Sequence, residues 1–147
     1  MGINISQDII AQNHASASQR LWRHVLLNAV DDARLLQSDR KSSILKMEAH
    51  EWIIQDDSDF QKICWWSGWE PEHVRSQYFK AVRNGEITFN SRQVKWAEYY
   101  KKYLKLKTAV GKDNRRYLKT HVDRARWAVF HATTALVSNF IINAQVS

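Results

Sequence analysis

Cysteine, proline and glycine are all scarce in this sequence. Cys64 is the only cysteine in 147 residues, so no internal disulfide can form and no cysteine cage can hold a metal. That usage suits a reducing compartment, and a cytoplasmic location is expected. With one proline, Pro71, and four glycines, the chain has few of the residues that turn a chain between many strands. A hydrophobic content of 44% still suffices for a core, so the expected class is all-α. Residues 1–18 lack a basic stretch ahead of an apolar run, and no secretory signal is expected. Gly2 and Ser6 do fit the loose myristoylation pattern, one that chance readily produces.

Charge is lacking too, at one end. No Asp, Glu, Lys or Arg follows Arg126. The closing "WAVFHATTALVSNFIINAQVS" mixes Thr, Ser, Asn and His into its apolar residues, so no membrane span is expected. Burial against a neighbouring helix or a second copy of the chain is expected instead. A long terminal helix of this kind gives a self-complementary surface, which makes a homo-oligomer, most simply a homodimer, the expected state.

What is present is helical spacing. Trp22, Val25, Leu26, Ala29, Ala33 and Leu36 form one stripe of a first helix that starts after Ser16 or Ser18. A second helix is predicted from about Ile44 to Gln55, burying Leu45, Ala49, Trp52 and Ile53. "DDSD", Asp56 to Asp59, reads as capping residues for a third helix, with Ser58 or Asp57 accepting from its free amides. A paired-carboxylate metal site is the weaker alternative there. The third helix, Asp59 to Ser67, places Phe60, Ile63 and Cys64 on one face and ends at Gly68. Pro71 then suits the first turn of a fourth helix reaching Asn84, with Val74, Tyr78, Ala81 and Val82 inward. "NGEITFN" is a linker or a small β wing. Ser91 is the expected cap of a fifth helix reaching Thr108. After the "GKDN" break, a last helix carries Leu118, Val122, Ala125, Val129, Leu136 and Phe140 on one stripe. The predicted organisation is a loose tail over 1–18, a helical domain over 19–84 with a helix-turn-helix-like unit, and a basic helical extension over 85–147.

The net charge of +7 is unevenly spread. Through Asn84 there are 10 Lys and Arg against 11 Asp and Glu; from Gly85 to Arg126 there are 12 against 4. Such a block attracts phosphate backbones, an acidic membrane surface or an acidic protein, or is simply a solvated helix face. Arg92, Lys95, Lys102 and Lys105 fall near one face of the fifth helix, beside Trp96, Tyr99 and Tyr103. Arg116, Lys119, Asp123 and Arg126 line a face of the last helix opposite Val122 and Val129, and Arg115 is a further candidate from that helix. Basic residues beside aromatics hold phosphates and stack bases; the competing reading is that the aromatics pack the two helices together.

"DFQKICWWSGWEPEHVRSQYFKAV" is the candidate helix-turn-helix. Cys64 is small where two helices would cross, Gly68 follows four residues later, and Val74 packs back. The outward face of the fourth helix would then carry Arg75, Gln77 and Arg83, with Arg75 suited to guanine and Gln77 to adenine. Glu70 and Glu72 oppose phosphates at that helix start. The same geometry also serves pure packing.

No catalytic constellation is legible. "MEAHEWII" offers His50-Glu51 but isoleucine stands at 54, where the zinc-protease pattern needs histidine. There is no phosphate-cradling glycine loop, and Cys64 has no neighbouring base in sequence. His131 reads as a core histidine. No enzyme activity, cofactor or metal is expected.

Three stretches carry a resemblance: "LWRHVLLNAVDDA" (Leu21 to Ala33), "AHEWI" (Ala49 to Ile53) and "DFQKICWWSGWEPEHVR" (Asp59 to Arg75). The region from Leu21 to Val82 resembles small helical regulatory proteins of bacteriophages, prophages and gene transfer agents. Their shared unit reads D-F-x-x-[VI]-C-x-x-[AS]-G-x-x-P-x-x-V-R. The resemblance implies a regulatory role associated with DNA or RNA polymerase in phage gene expression. Trp65, Trp66 and Trp69 replace the smaller residues usual around that glycine. The resulting expectation is a DNA-binding transcriptional regulator, with duplex DNA favoured over RNA. The alternatives are a module that docks on host RNA polymerase and a structural or membrane-surface protein.

Overall fold

A computed structural model describes residues 16–137. The described chain is an all-helical packed bundle of six helices: α1 (Ala17–Ala33), α2 (Arg40–Gln55), α3 (Ser58–Ser67), α4 (Pro71–Arg83), α5 (Ser91–Thr108) and α6 (Lys112–His131). Each start but two carries a polar side chain that satisfies a free amide. Ser16 and Gln19 close a reciprocal capping box on α1, so Ala17 and Ser18 belong to the helix rather than to a tail. Asp39 caps α2, which therefore begins four residues before Ile44; Asp57 caps α3. Asn90, with Gln93, boxes α5 in the place expected of Ser91.

Gly68 ends α3 at φ 79°, where an L side chain is strained. Its amide reaches the Trp65 carbonyl at 3.0 Å and the Trp69 amide reaches that of Cys64 at 3.1 Å. Those bonds close the helix end in the Schellman manner and turn the chain into α4. Pro71 occupies the first turn of α4, where its missing N–H is harmless.

The main core lies among α1 to α4. Leu26, Ile53, Phe60, Cys64, Val74 and Tyr78 meet there, each fully or almost fully withdrawn from water. Side chains of this size contribute about 1.5–3 kcal/mol each on burial. Cys64 sits inside this core, and burial with the nearby Asp56 charge pushes its thiol up to about 12, so it is an inert packing group. Leu36 and Leu45 depart from expectation. The first helix stops at Ala33, leaving Leu36 exposed, and Leu45 faces the surface of α2.

"NGEITFN" forms neither a wing nor a free linker. Ile87 and Phe89 are buried in the main core, so this loop is an anchor. The Lys46 ammonium reaches into the same place, donating to the Leu35 carbonyl at 2.6 Å and to the Thr88 carbonyl. Gln93 donates to the carbonyls of Leu35 at 3.1 Å and Gln37 at 2.9 Å. Lys46 thus ties the α1–α2 link and the α4–α5 loop to α2, and Gln93 ties the α1–α2 link to α5. Burial lowers the Lys46 ammonium to about 8.

α5 and α6 form a helical hairpin with its own small core of Tyr99, Val122, Ala125 and Val129, flanked by Trp96 and Leu106. α5 faces two ways: Ala97 belongs to the main core, Tyr99 to the hairpin core. α6 ends at His131, and the chain then returns to the start of α5. The Ser91 amide bonds the Ala135 carbonyl at 2.9 Å, and the Val137 amide bonds that of Phe89 at 2.8 Å. Leu136 accordingly lies in an isolated bridge opposite Asn90, not on the α6 stripe. Phe140 lies outside the described residues.

Candidate nucleic-acid interface

Helices end in four carbonyls with no partner inside the helix and a partial negative charge, a natural seat for a guanidinium. Among the described residues four arginines are used so. Arg23 is buried under α3, its Nε donating to the Ser67 carbonyl at 2.7 Å and its guanidinium lying 4.8 Å over the Trp69 ring. Arg75 donates to the carbonyls of Ile53 at 3.1 Å and Ile54 at 2.8 Å, closing the end of α2. Arg115 reaches Ala109 at 3.2 Å and Leu106 at 3.4 Å past the end of α5. Arg92 reaches Ala132 at 3.1 Å at the end of α6.

Three of those four, Arg75, Arg92 and Arg115, are candidate DNA contacts on sequence grounds. The correction is sharpest for Arg75. Its side chain turns inward to α2 and also lies 3.7 Å from Asp56, so it does not stand on an outward reading face. Gln77 is half-buried on the same helix, and Arg83 is exposed at its last turn. Phe79, half-buried, lies under the Arg75 guanidinium at 5.3 Å. What α4 offers outward is Glu72, His73, Ser76, Lys80 and Arg83, a mixed and partly acidic set.

The hairpin is different. Lys95 pairs with Glu98 at 3.3 Å, and Lys101 pairs with Glu51 of α2. The other cations expected there, Lys102, Lys105, Arg116, Lys119 and Arg126, are exposed and make no ion pair among the described residues. Lys107, Lys112 and Arg124 join them, and were missed because they fall outside the stripe read from α5 and the face read from α6. The free cations therefore run along both helices of the hairpin.

Exposed aromatics stand among them. Trp127 and Phe130 are 64% and 65% exposed, and Tyr117 is also open to solvent. The Arg126 guanidinium lies 6.0 Å from the Phe130 ring, whose edge meets Trp96 at 6.4 Å. His131 is not a core histidine. It is exposed, stacked on Trp127 at 3.8 Å between ring centres, with Nδ1 2.8 Å from the Trp127 carbonyl. Tyr99, by contrast, is buried between the helices and stacked on Tyr103 at 6.3 Å, so the α5 aromatics serve packing.

A second aromatic surface lies on the opposite half of the sequence. Trp65 and Trp66 are 59% and 50% exposed, and Trp66 meets Trp22 of α1 at 4.8 Å. Trp69 is partly buried beneath Arg23, so the three tryptophans divide between surface and core. Among the described residues no helix is long and apolar enough to cross a membrane. Compared with protein-family models, curated proteins and solved structures, the chain matches none, and the phage-type resemblance rests on its own residues between Leu21 and Val82.

Proposed function

We propose that the chain is a phage-type DNA-binding regulator that grips duplex DNA through the α5–α6 hairpin. One observation carries this reading: eight hairpin cations, Lys102, Lys105, Lys107, Lys112, Arg116, Lys119, Arg124 and Arg126, are exposed with no carboxylate partner among the described residues. The exposed Asp113 and Asp123 lie between these cations without pairing to them, so the cations stay available to a line of phosphates. Duplex DNA presents about one phosphate charge per 1.7 Å of axis, and each contact releases a condensed counterion. With Arg75 committed to α2, the interface is mainly of the backbone-binding kind, and sequence preference would come from Arg83 or from DNA shape. The regulatory role is supported by the resemblance over Leu21 to Val82.

The test is parallel binding of labelled random duplex, single-stranded DNA and RNA to the full chain. Wild-type protein should bind duplex best, and Lys102→Glu with Arg116→Glu should weaken all sequences alike. Unchanged duplex affinity in that double variant would remove the hairpin from the interface.

A second reading has its own observation. The exposed Trp65 and Trp66, braced by Trp22, form an aromatic patch of the composition found at protein hot spots. It supports docking on a host protein such as RNA polymerase, and Trp66→Ala should abolish capture of that partner from nuclease-treated lysate without altering DNA affinity.

A further inference from the structure

An open groove of about 470 Å³ runs between α1 and α2 and ends at α3. Ala29, Leu45, Ala49 and Trp52 give it an apolar floor, and Asp32, Glu48 and Asp59 stand around it with no basic side chain in the lining. Asp59 accepts from the Trp52 indole at 2.9 Å, which fixes that ring against the groove wall. Burial and the neighbouring Asp31 hold the Asp32 carboxyl above its usual range, so a cation placed beside it would relieve a real cost. Leu45 is an exposed leucine in the middle of α2, a position that packing inside the chain does not explain.

The complementary surface is on the same chain. Arg126, Phe130, Trp127 and Arg124 follow one another around the exposed side of α6 by their spacing. The edge they form combines two large exposed rings with two arginines free of ion pairs among the described residues. In this fold the edge is exposed and does not fill its own groove. α2 is held to α5 along a neighbouring face, where Glu51 pairs with Lys101 and Ile44, Met47 and Ala97 line a shared pocket that Glu48 also borders.

We propose that the α1–α2 groove is the docking site for a second copy of the chain, which inserts the Trp127–Phe130 edge of its α6 and sets Arg124 and Arg126 against the groove carboxylates. The contact is head-to-tail. Unlike a symmetric dimer through the chain end, it leaves one groove and one edge free, so it builds rings or open arrays. Charge complementarity identifies the occupant: apolar floor with an acid rim on one side, aromatic rings with arginines on the other. The proposal does not depend on DNA binding, with which it would compete for Arg124 and Arg126.

Sedimentation velocity of the full chain without nucleic acid tests it, at about 0.05 M and about 0.5 M salt. Wild-type protein should associate with concentration at low salt and dissociate at high salt. Leu45→Arg should spoil the groove, and Trp127→Ala with Arg126→Glu should spoil the edge, each weakening association at least tenfold. All these positions are exposed, so circular dichroism should report intact folds; Glu48→Lys replaces Leu45→Arg if the latter unfolds. The decisive step is mixing the groove variant with the edge variant. Each keeps the surface the other lacks, so an equimolar mixture should form a heterodimer that stops at two chains, its free groove and edge being the spoiled ones. Wild-type protein that stays monomeric at low salt, association that survives in either variant, or folded variants that fail to pair would each overturn the proposal.

Discussion

Arg75→Ala separates a structural arginine from a DNA-reading one. The change removes the hydrogen bonds to the carbonyls of Ile53 and Ile54, at 3.1 and 2.8 Å, and the 3.7 Å approach to Asp56. Hydrogen bonds from a charged group contribute about 1.5–3 kcal/mol each when fully buried. The Arg75 side chain is 25% exposed, so water replaces part of what is lost, and the ion pair adds less than about 1 kcal/mol. Loss of the guanidinium from a helix C-terminus acts in the same direction. The expected destabilisation is about 2 kcal/mol, a fall in melting temperature of roughly 6–12 °C for a fold of this size. Urea unfolding should show a lower midpoint with an unchanged slope. Arg75→Lys should recover only part of the loss, since an ammonium lacks the planar fork that spans two carbonyls. Duplex affinity of the folded protein should be unaltered. An Arg75→Ala protein that melts like wild type but loses preference at one base position would refute the reasoning and return the side chain to an outward face.

Other perturbations follow from the same contacts. Gly68→Val should cost about 1 kcal/mol or more, because φ is +79° and the added Cβ would stand 3.0 Å from Gln19 Nε2; a wild-type melting temperature would contradict this. Lys46→Ala should destabilise by about 2–4 kcal/mol in urea titration, since the carbonyls of Leu35 and Thr88 lose their buried donor and a cavity opens. His50 donates to or accepts from Tyr78 Oη at 2.6 Å, and burial and the Lys46 charge lower it to about 4. The unfolded chain protonates this histidine near pH 6.5, so it binds more protons than the fold between the two values. Stability should therefore fall as pH drops from about 6.5 towards about 4, by up to about 3 kcal/mol, and His50→Gln should flatten that window; an equal slope in the variant would assign it to another group.

The helices, and the caps at Ser16 and Asp57, were legible because their signals are local. The Asp39 cap of α2 was not read, and that helix was expected to begin four residues late. Asp57 before Phe60, Gly68 after Ser67 and Pro71 at a first turn each act within a few residues. The capping box that displaced Ser91 was written as Asn90 and Gln93, one residue earlier. What spacing could not show was where long side chains go. Arg75 lies outward on a helical wheel drawn for α4 alone, yet its guanidinium crosses to a helix end 22 residues earlier in the chain. Arg92 and Arg115 answer the same demand for donors at helix ends, while the lysines, with compact charges and no planar fork, mostly stay in solvent. Lys46 defied the pattern because the partners that justify its burial, at Leu35 and Thr88, come from two loops far apart in sequence. His131 was misplaced because the run around it is divided: Val129 enters the hairpin core, whereas Trp127, Phe130 and His131 face outward.

The most direct measurement is the salt dependence of duplex binding by the full chain. If the eight hairpin cations without an ion pair among the described residues form the interface and five to eight of them engage phosphates, the logarithm of affinity should fall against the logarithm of salt with a slope of about −4.5 to −7. Lys102→Ala and Arg116→Ala should each make that slope shallower by about 0.9, with little dependence on DNA sequence. Duplex affinity that holds constant as salt rises, or a slope that neither substitution changes, would contradict the claim that the α5–α6 hairpin binds DNA.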